Sequence, residues 1–442
     1  MTPGARLAAA IELTGLVLAE RGRPADQAVS GYMRGRRYIG GGDRREISRL
    51  VYAVLRRYGQ LVWWIAEVLP GAGADARKLV LAAAALGTPR MPADEIAAAC
   101  DGGTHRPDPL TPEEATLLAA LDHAGFADPR QDPATQANCP GWLWEKFIAR
   151  FGAAAADELA ALDTTAGVDL RVNTIKTDRE GAQAALAEAG LTAAPTPFSP
   201  VGLRLPERAP VLGTRAWREG LIELQDEASQ LAALLTDARP GMAVLDYCAG
   251  VGGKTLALAA TMQNHGRLVA ADIEPDRLNR AFGRCERAGA SLPELVPLDA
   301  GAGADFRRGE RDVFDRVLLD VPCSRTGLWR RSPEARWRLT EEELRGFVVT
   351  QREILQQVAA LVKPGGRLVY ATCSLLAEEN EARLAGFMTE HGGFRPVPVA
   401  EVWDAAVKTP PPAGIEGDRW LTLTPARHGT DGFFVGILER AE

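Results

Sequence analysis

One stretch constrains the fold more than any other: Ala243-Val-Leu-Asp-Tyr-Cys-Ala-Gly-Val-Gly-Gly-Lys-Thr255. Four mostly apolar residues run into a short glycine-rich turn, and Lys254 to Met262 then reads as a helix. That is the pattern of a buried parallel strand feeding a helix, with glycines supplying φ > 0 at the turn. The glycines also leave out Cβ atoms where the helix begins, so a ligand can approach the backbone there. The glycine–lysine spacing of a P-loop is absent, and Asp246-x-x-x-Gly250-x-Gly252-Gly253 is not a clean dinucleotide turn either. The stretch suits a nucleoside ligand without a pyrophosphate, such as S-adenosyl-L-methionine. Its alternative is a tight strand-to-helix turn with no ligand.

A chain of 442 residues should hold two or three domains. No apolar run is long enough to span a membrane, and the N-terminus lacks the basic-then-apolar signature of a signal peptide. Six cysteines without a Cys-x-x-Cys pair predict neither a disulfide framework nor a structural metal. A reducing, cytoplasmic location is the expectation. The net charge of −7 excludes a broadly basic nucleic-acid binder and leaves room for local patches.

Residues 1–135 read as an all-helical domain. Arg6 to Glu20 is amphipathic, and Ile47, Leu50, Val51, Val54 and Leu55 recur at helical spacing. Between them lies Arg34-Gly-Arg-Arg-Tyr38, either an RNA-phosphate contact or a solvated loop. Pro, Asp and Thr enrichment over 106–139 marks a connector. Short strands alternating with helices over 140–235 predict a small α+β module. Gln225-Asp-Glu-Ala-Ser229 starts a helix in which Asp226 or Ser229 either caps or faces solvent. From 236 to 442 strand and helix alternate: strands at Arg267 to Asp272, Glu294 to Leu298, Val313 to Leu319 and Arg367 to Ala371, and a long helix from Thr340 to Val362 stopped by Lys363-Pro-Gly-Gly366. Trp420 to Thr424 and Gly432 to Leu438 form a closing antiparallel pair. This alternation implies a parallel sheet covered on both faces, with ligands at the carboxyl ends of the strands.

The chemistry gathers at those ends. Asp272 ends the second strand, where an acid accepts from both ribose hydroxyls of a nucleoside; the alternative is a helix cap. Asp299 follows the third strand and could accept from an adenine amino group. Asp320-Val-Pro-Cys323 follows the fourth and Thr372-Cys-Ser374 the fifth, which places two cysteines at one rim. A lone cysteine is usually a small buried hydrophobe. Two cysteines past adjacent strands, beside a nucleoside pocket, are a more specific signal.

The set Cys248-Ala-Gly-Val-Gly-Gly-Lys254, Asp320-Val-Pro-Cys323 and Thr372-Cys-Ser374 resembles the RsmB/Nop/Sun family of RNA cytosine-C5 methyltransferases. Leu170-Arg-Val-Asn-Thr-Ile-Lys176, Gln225-Asp-Glu-Ala-Ser-Gln230 and His428-Gly-Thr-Asp-Gly-Phe-Phe434 support the likeness. The segment from Gly42 to Arg56 resembles the NusB-like N-terminal domain of RsmB-type members. Two positions depart from the family pattern: Gly250-Val251 stands where Ala-Pro is common, and Arg325 where Gly or Ala follows Pro-Cys-Ser. The resemblance implies a Rossmann-like class I methyltransferase domain after an all-α NusB-like domain and a small α+β module.

It also implies roles. Cys373 would attack C6 of cytosine, Asp320 would relieve charge at N3, and Cys323 would serve release. Cys248, Ala249, Gly250, Val251, Gly252, Gly253, Lys254, Asp272, Asp299 and Asp320 would hold S-adenosyl-L-methionine. Lys254 either stabilises the turn at the surface or orients the Asp320 loop. The target base must be unpaired or flipped out. Arg325, Arg330, Arg331, Arg336 and Arg338, with Trp329 and Trp337, read as a phosphate-binding and base-stacking run, against the alternative of a solvated loop with a buried Trp. The implied partner is RNA, ribosomal RNA foremost, with no DNA, no membrane, no metal and a monomeric protein. The competing functions are a non-catalytic RNA-binding or assembly factor and a methyltransferase for protein or small molecules.

Overall fold

A computed structural model describes residues 1–206, 209–299, 301–413, 415 and 419–442. The chain divides into two compact units, Met1–Thr164 with Trp329–Leu339, and Thr165–Leu328 with Thr340–Glu442.

The first unit is helical. Helix Pro3–Ala19 turns Leu7, Ala10, Leu13 and Val17 inward, and Gly41–Arg56 does the same with Ile47, Leu50, Val51, Val54 and Leu55. Helix Ala76–Leu86 is buried along its whole length from Leu79 onward, as an all-apolar helix must be, and Asp75 caps it by accepting from the Lys78 N–H. Each Leu or Val so enclosed contributes about 1.5–3 kcal/mol.

The compact unit extends past the helical segment read at 1–135. It continues through helices Gly141–Phe151 and Ala155–Leu162 to Thr164. It also takes in Trp329–Leu339 from far along the chain. The reason lies in the apolar and charged groups of that segment. Trp329 is fully buried and stacks on Phe147 with ring centroids 5.7 Å apart. The Arg336 guanidinium lies 4.4 Å over the Trp329 ring and pairs with Asp163 at 2.6 Å. It also donates to the Asn138 carbonyl at 2.7 Å.

Arg338 and Trp337 are committed in the same way. Arg338 donates to the carbonyls of Val17 and Arg23, and Trp337 packs 5.5 Å from Tyr58. The expected RNA-stacking run is thus corrected: Trp329, Arg330 and Arg336 are interior residues of the helical unit. In the Arg34–Tyr38 loop, Tyr38 is exposed, while Arg36 already stacks on Tyr32 and pairs with Glu12.

The second unit carries two sheets. Strands β1 (Val168–Val172), β2 (Ala194–Pro195), β3 (Gly202–Leu205) and β4 (Ile222–Leu224) form an antiparallel sheet in the order β2-β3-β1-β4. Strands β5 (Ala243–Asp246), β6 (Arg267–Asp272), β7 (Glu294–Pro297), β8 (Phe314–Asp320), β9 (Val362–Thr372), β10 (Phe394–Val397), β11 (Trp420–Leu423) and β12 (Phe433–Arg440) form the main sheet. Its order is β10-β12-β9-β8-β5-β6-β7, with β11 beside β12.

The strands from β5 to β9 run parallel, and β12 is antiparallel to β9, β10 and β11. This is the expected Rossmann-like sheet with its closing antiparallel pair. Strand order reverses between β5 and β8, so a crevice opens at their carboxyl ends. One local reading changes. Lys363-Pro-Gly-Gly366 lies inside β9 rather than ending a helix, and the long helix stops earlier, at Val358. Pairing jumps from Phe314↔Val362 to Arg316↔Arg367, so these residues form a bulge, with Gly365 at φ +71°.

Candidate active site

The crevice at the β5/β8 reversal is a cleft of about 1030 Å³. Its walls bring together the glycine turn after β5, the ends of β6, β7 and β8, and Cys373 after β9. Each predicted cofactor residue except Gly252 lines it: Cys248, Ala249, Gly250, Val251, Gly253, Lys254, Asp272, Asp299 and Asp320. Gly252 faces away. Its backbone is left-handed at φ +80°, and a Cβ there would come within 2.8 Å of Ala281 on helix Pro275–Ala288. It is a packing glycine that lets the helix approach the turn.

The carboxylates fall into distinct environments. Asp272 is buried; its Oδ2 accepts from the Gly250 N–H at 2.7 Å and its Oδ1 from the Glu274 N–H at 2.9 Å. It therefore braces the turn and leaves its remaining lone pairs toward the cleft. Asp299 is exposed at the rim and accepts from the Gly301 N–H at 3.1 Å. Asp246, the head of the turn pattern, ends β5. It is fully buried, its Oδ2 accepts from the Thr255 hydroxyl at 2.7 Å, and its Oδ1 has no hydrogen-bond partner. Burial pushes this carboxyl up to about 7. An orphaned acceptor on the cleft wall, beside backbone freed of side chains, fits the ammonium and nucleoside groups of S-adenosyl-L-methionine.

Lys254 resolves in favour of orienting Asp320. Its ammonium is 2.5 Å from Asp320 Oδ2 and 5.1 Å above the Phe433 ring, and the side chain is nearly buried. Asp226, the residue left open above, caps helix Glu227–Leu234 by accepting from the Ala228 N–H.

The two cysteines meet. Cys323 Sγ and Cys373 Sγ are 3.4 Å apart, as free thiols. Cys323 is buried, and its thiol is pushed well above the usual range by the hydrogen bond with Cys373 and then by burial. Either sulfur can donate in the hydrogen bond that the two thiols share. Cys248, on the wall, is likewise pushed up by burial. Arg325 stands exposed at the mouth, at φ +56°. Gly327 closes the loop by donating its N–H to the Cys373 carbonyl at 2.9 Å. Its carbonyl accepts from the Gly432 N–H at 2.9 Å, so close that any Cβ on Gly327 would strike the Gly432 backbone.

The small sheet also reaches this site. Arg171 on β1 donates to the Gly253 carbonyl at 2.7 Å. Glu223 on β4 pairs with Arg284 at 2.8 Å, and Arg284 donates to the Val251 carbonyl at 2.9 Å. Two carbonyls of the turn are thus held from the neighbouring sheet. No local signal could have found these contacts, which join residues about 30 to 80 positions apart. Among the described residues no group of acids, histidines and cysteines is arranged to hold a metal ion, and no helix is long and apolar enough to cross a membrane.

Comparison with known proteins falls on the same segments. A family model described as 16S rRNA methyltransferase RsmB/F matches residues 233–439, and an RsmF/B-like ferredoxin-like domain matches 139–212. The probable ribosomal RNA small subunit methyltransferase B of Synechocystis is 33% identical over 311 residues, covering 69% of this chain and 68% of that protein. The ribosomal RNA small subunit methyltransferase B of Pseudomonas syringae pv. tomato is 34% identical over 322 residues, covering 73% and 68%. The crystal structure of PH0851 matches with a TM-score of 0.77 and 28% identity, over 100% of this chain and 99% of that one.

Proposed function

The chain belongs to the RsmB/F family of rRNA methyltransferases, which use S-adenosyl-L-methionine, and on that premise we propose that it methylates C5 of a cytosine in small-subunit ribosomal RNA. The observation that carries the reading is the pair of thiols 3.4 Å apart in the cleft that also holds the glycine turn and the Lys254–Asp320 pair.

C5 of cytosine is a poor nucleophile. Addition of the Cys373 sulfur to C6 forms an S–C6 bond and moves the C5=C6 electrons into the ring, so C5 becomes enamine-like. Asp320, oriented by Lys254, relieves the charge that gathers over N3 and O2 by sharing a proton with N3. The cofactor supplies an electrophilic methyl group on a sulfonium; Asp246, Asp272, Asp299 and the turn from Cys248 to Lys254 would hold it. Once C5 carries the methyl group, a water molecule takes its proton, the C5–H electrons re-form the C5=C6 bond and the Cys373 sulfur leaves as a thiolate. Cys323, whose sulfur is 3.4 Å from that of Cys373, serves this release by sharing its proton with the departing thiolate. The base must leave its stack to reach the cleft. A reaction on ribosomal RNA suits a cytoplasmic protein.

The test uses RNA containing 5-fluorocytosine, in which the C5 position cannot lose a proton. Cys373→Ala should abolish the covalent adduct and lower methyl transfer by at least about 10³-fold. Cys323→Ala should attack normally and accumulate the adduct on ordinary RNA. An active, adduct-forming Cys373→Ala variant overturns the assignment. Bisulfite sequencing of ribosomal RNA from cells with and without the gene locates the cytosine.

A further inference from the structure

A carboxylate outside the cleft lies behind both cysteine loops. Glu379, at the end of the turn Ala377–Glu379, is fully buried. Its Oε1 accepts from the Ser324 N–H at 2.9 Å and from Gln351 Nε2 at 3.0 Å. Its Oε2 accepts from the hydroxyls of Ser324 and Ser374, the latter at 2.5 Å. Ser324 and Ser374 are the residues directly after Cys323 and Cys373. Gln351 also donates to the Pro322 carbonyl at 2.9 Å, on the other flank of Cys323. The neighbour Asn380 repeats the pattern around Cys373, donating to the Ser374 carbonyl at 2.9 Å and accepting from the Thr372 hydroxyl at 2.6 Å.

Both cysteines are therefore gripped on each flank by groups that converge on residues 379 and 380. Four donors point at the Glu379 carboxylate, and among the described residues no lysine or arginine forms an ion pair with it. An anion sealed inside protein without a cation is costly and persists where hydrogen bonds over-determine it. A simple tie between two loops needs no charge; serine or glutamine would do.

We propose that Glu379 is the positioning residue through which the two cysteine loops are held in register, its carboxylate fixing the separation of the thiols and its buried charge disfavouring thiolate at the pair. The hydrogen bond with Cys373 and burial push the Cys323 thiol up, and the negative charge of Glu379 behind it acts in the same direction. The two hydroxyls transmit position and the carboxylate supplies the field. The bearing of this on turnover rests on the cysteine roles proposed above; the effect on the thiols themselves does not.

Three variants separate these parts. In Glu379→Gln the amide oxygen can replace Oε1 toward its two fixed donors, and the amide nitrogen faces two hydroxyls that can rotate to accept. The geometry is kept and the charge removed. Alkylation of Cys323 and Cys373 by iodoacetamide, followed by mass spectrometry across pH, should shift about one pH unit to the acid side, and the acid limb of kcat, which formation of the attacking thiolate sets, should move with it. Melting temperature and S-adenosyl-L-methionine affinity should stay near those of the native chain. Glu379→Asp keeps the charge and loses reach, so kcat should fall about tenfold while the pH dependence of alkylation holds. The double variant Ser324→Ala with Ser374→Ala cuts the ties and leaves the carboxylate, and kcat should fall with cofactor affinity retained.

Alkylation and pH–rate profiles of Glu379→Gln that coincide with the native ones overturn the role of the charge. Native turnover in the double variant overturns the role of the ties, whether or not Glu379→Gln folds. An acid shift of alkylation in a protein that methylates no RNA would leave Glu379 as assigned and reject the proposed reaction instead.

Discussion

Residues 320–328 and 329–339 follow one another in the chain and are both rich in charge and aromatic or sulfur side chains, yet they are used in opposite ways. The first set lines the cleft: Asp320 is a third exposed and Arg325 points into open space. The second set is consumed by structure, with Trp329 and Arg336 at 0% and 2% exposure and Arg336 committed to Asp163, Asn138 and the Trp329 ring. Charge and aromatic content alone do not identify a binding surface. What does is whether a partner inside the protein has already claimed those groups.

If that contrast is right, substitutions in the second stretch move stability and leave the chemistry alone. Arg336→Ala leaves the buried Asp163, whose carboxyl burial already pushes up, with Arg57 and Asn138 as partners and opens a gap beside Trp329, and it should destabilise the helical unit by about 2–3 kcal/mol. Two-transition thermal melts should show the lower transition falling, with S-adenosyl-L-methionine affinity unchanged. Substitutions in the cleft should do the reverse. Lys254→Met leaves the apolar stem in place and frees Asp320, so methyl transfer should fall about 10²-fold with little change in melting temperature.

The buried Asp246 sharpens the contrast through pH. Its folded-state carboxyl titrates near 7, above the unfolded value, so the fold binds the extra proton in between. Its stabilising contribution is complete below about pH 4 and is lost as pH rises to about 7, by at most about 1.4 kcal/mol per pH unit. Denaturant titrations of the cofactor-free protein should show that slope, and Asp246→Asn should lack it. The smallest effect concerns Arg325. Arg325→Gly relieves a left-handed residue at φ +56° and should stabilise by about 1 kcal/mol, while reducing the salt dependence of RNA binding by about one phosphate contact. Unchanged salt dependence would break the claim that this arginine, unlike Arg336, is free for a partner.

Much of the site was legible because its signals are local. The glycine turn, Asp272, Asp299 and the two cysteine motifs each sit at a strand end, and a strand end is readable from a few residues. Asp246 was written in the same stretch and passed over, because an acid ending a strand gives no sign of being sealed on all sides until β8 lies against β5. Glu379 carries no local sign of its role. Its four donors come from residues 5 to 55 positions away. Gly252 stands in the turn that the resemblance assigns to the cofactor, and its packing against Ala281 is not visible in sequence.

By itself the sequence determined the order of strands and helices, the turn after Asp246 and the placing of both thiols past neighbouring parallel strands. Hydrophobic period and glycine backbone freedom are properties of adjacent residues, so they survive without knowledge of the rest. Only the tertiary structure decided which charges face a ligand and which are spent indoors: Lys254 on Asp320, Arg336 on Asp163, Glu379 behind both cysteines. Burial and pairing depend on what distant segments bring to the same place, and their energies exist only once those segments have met.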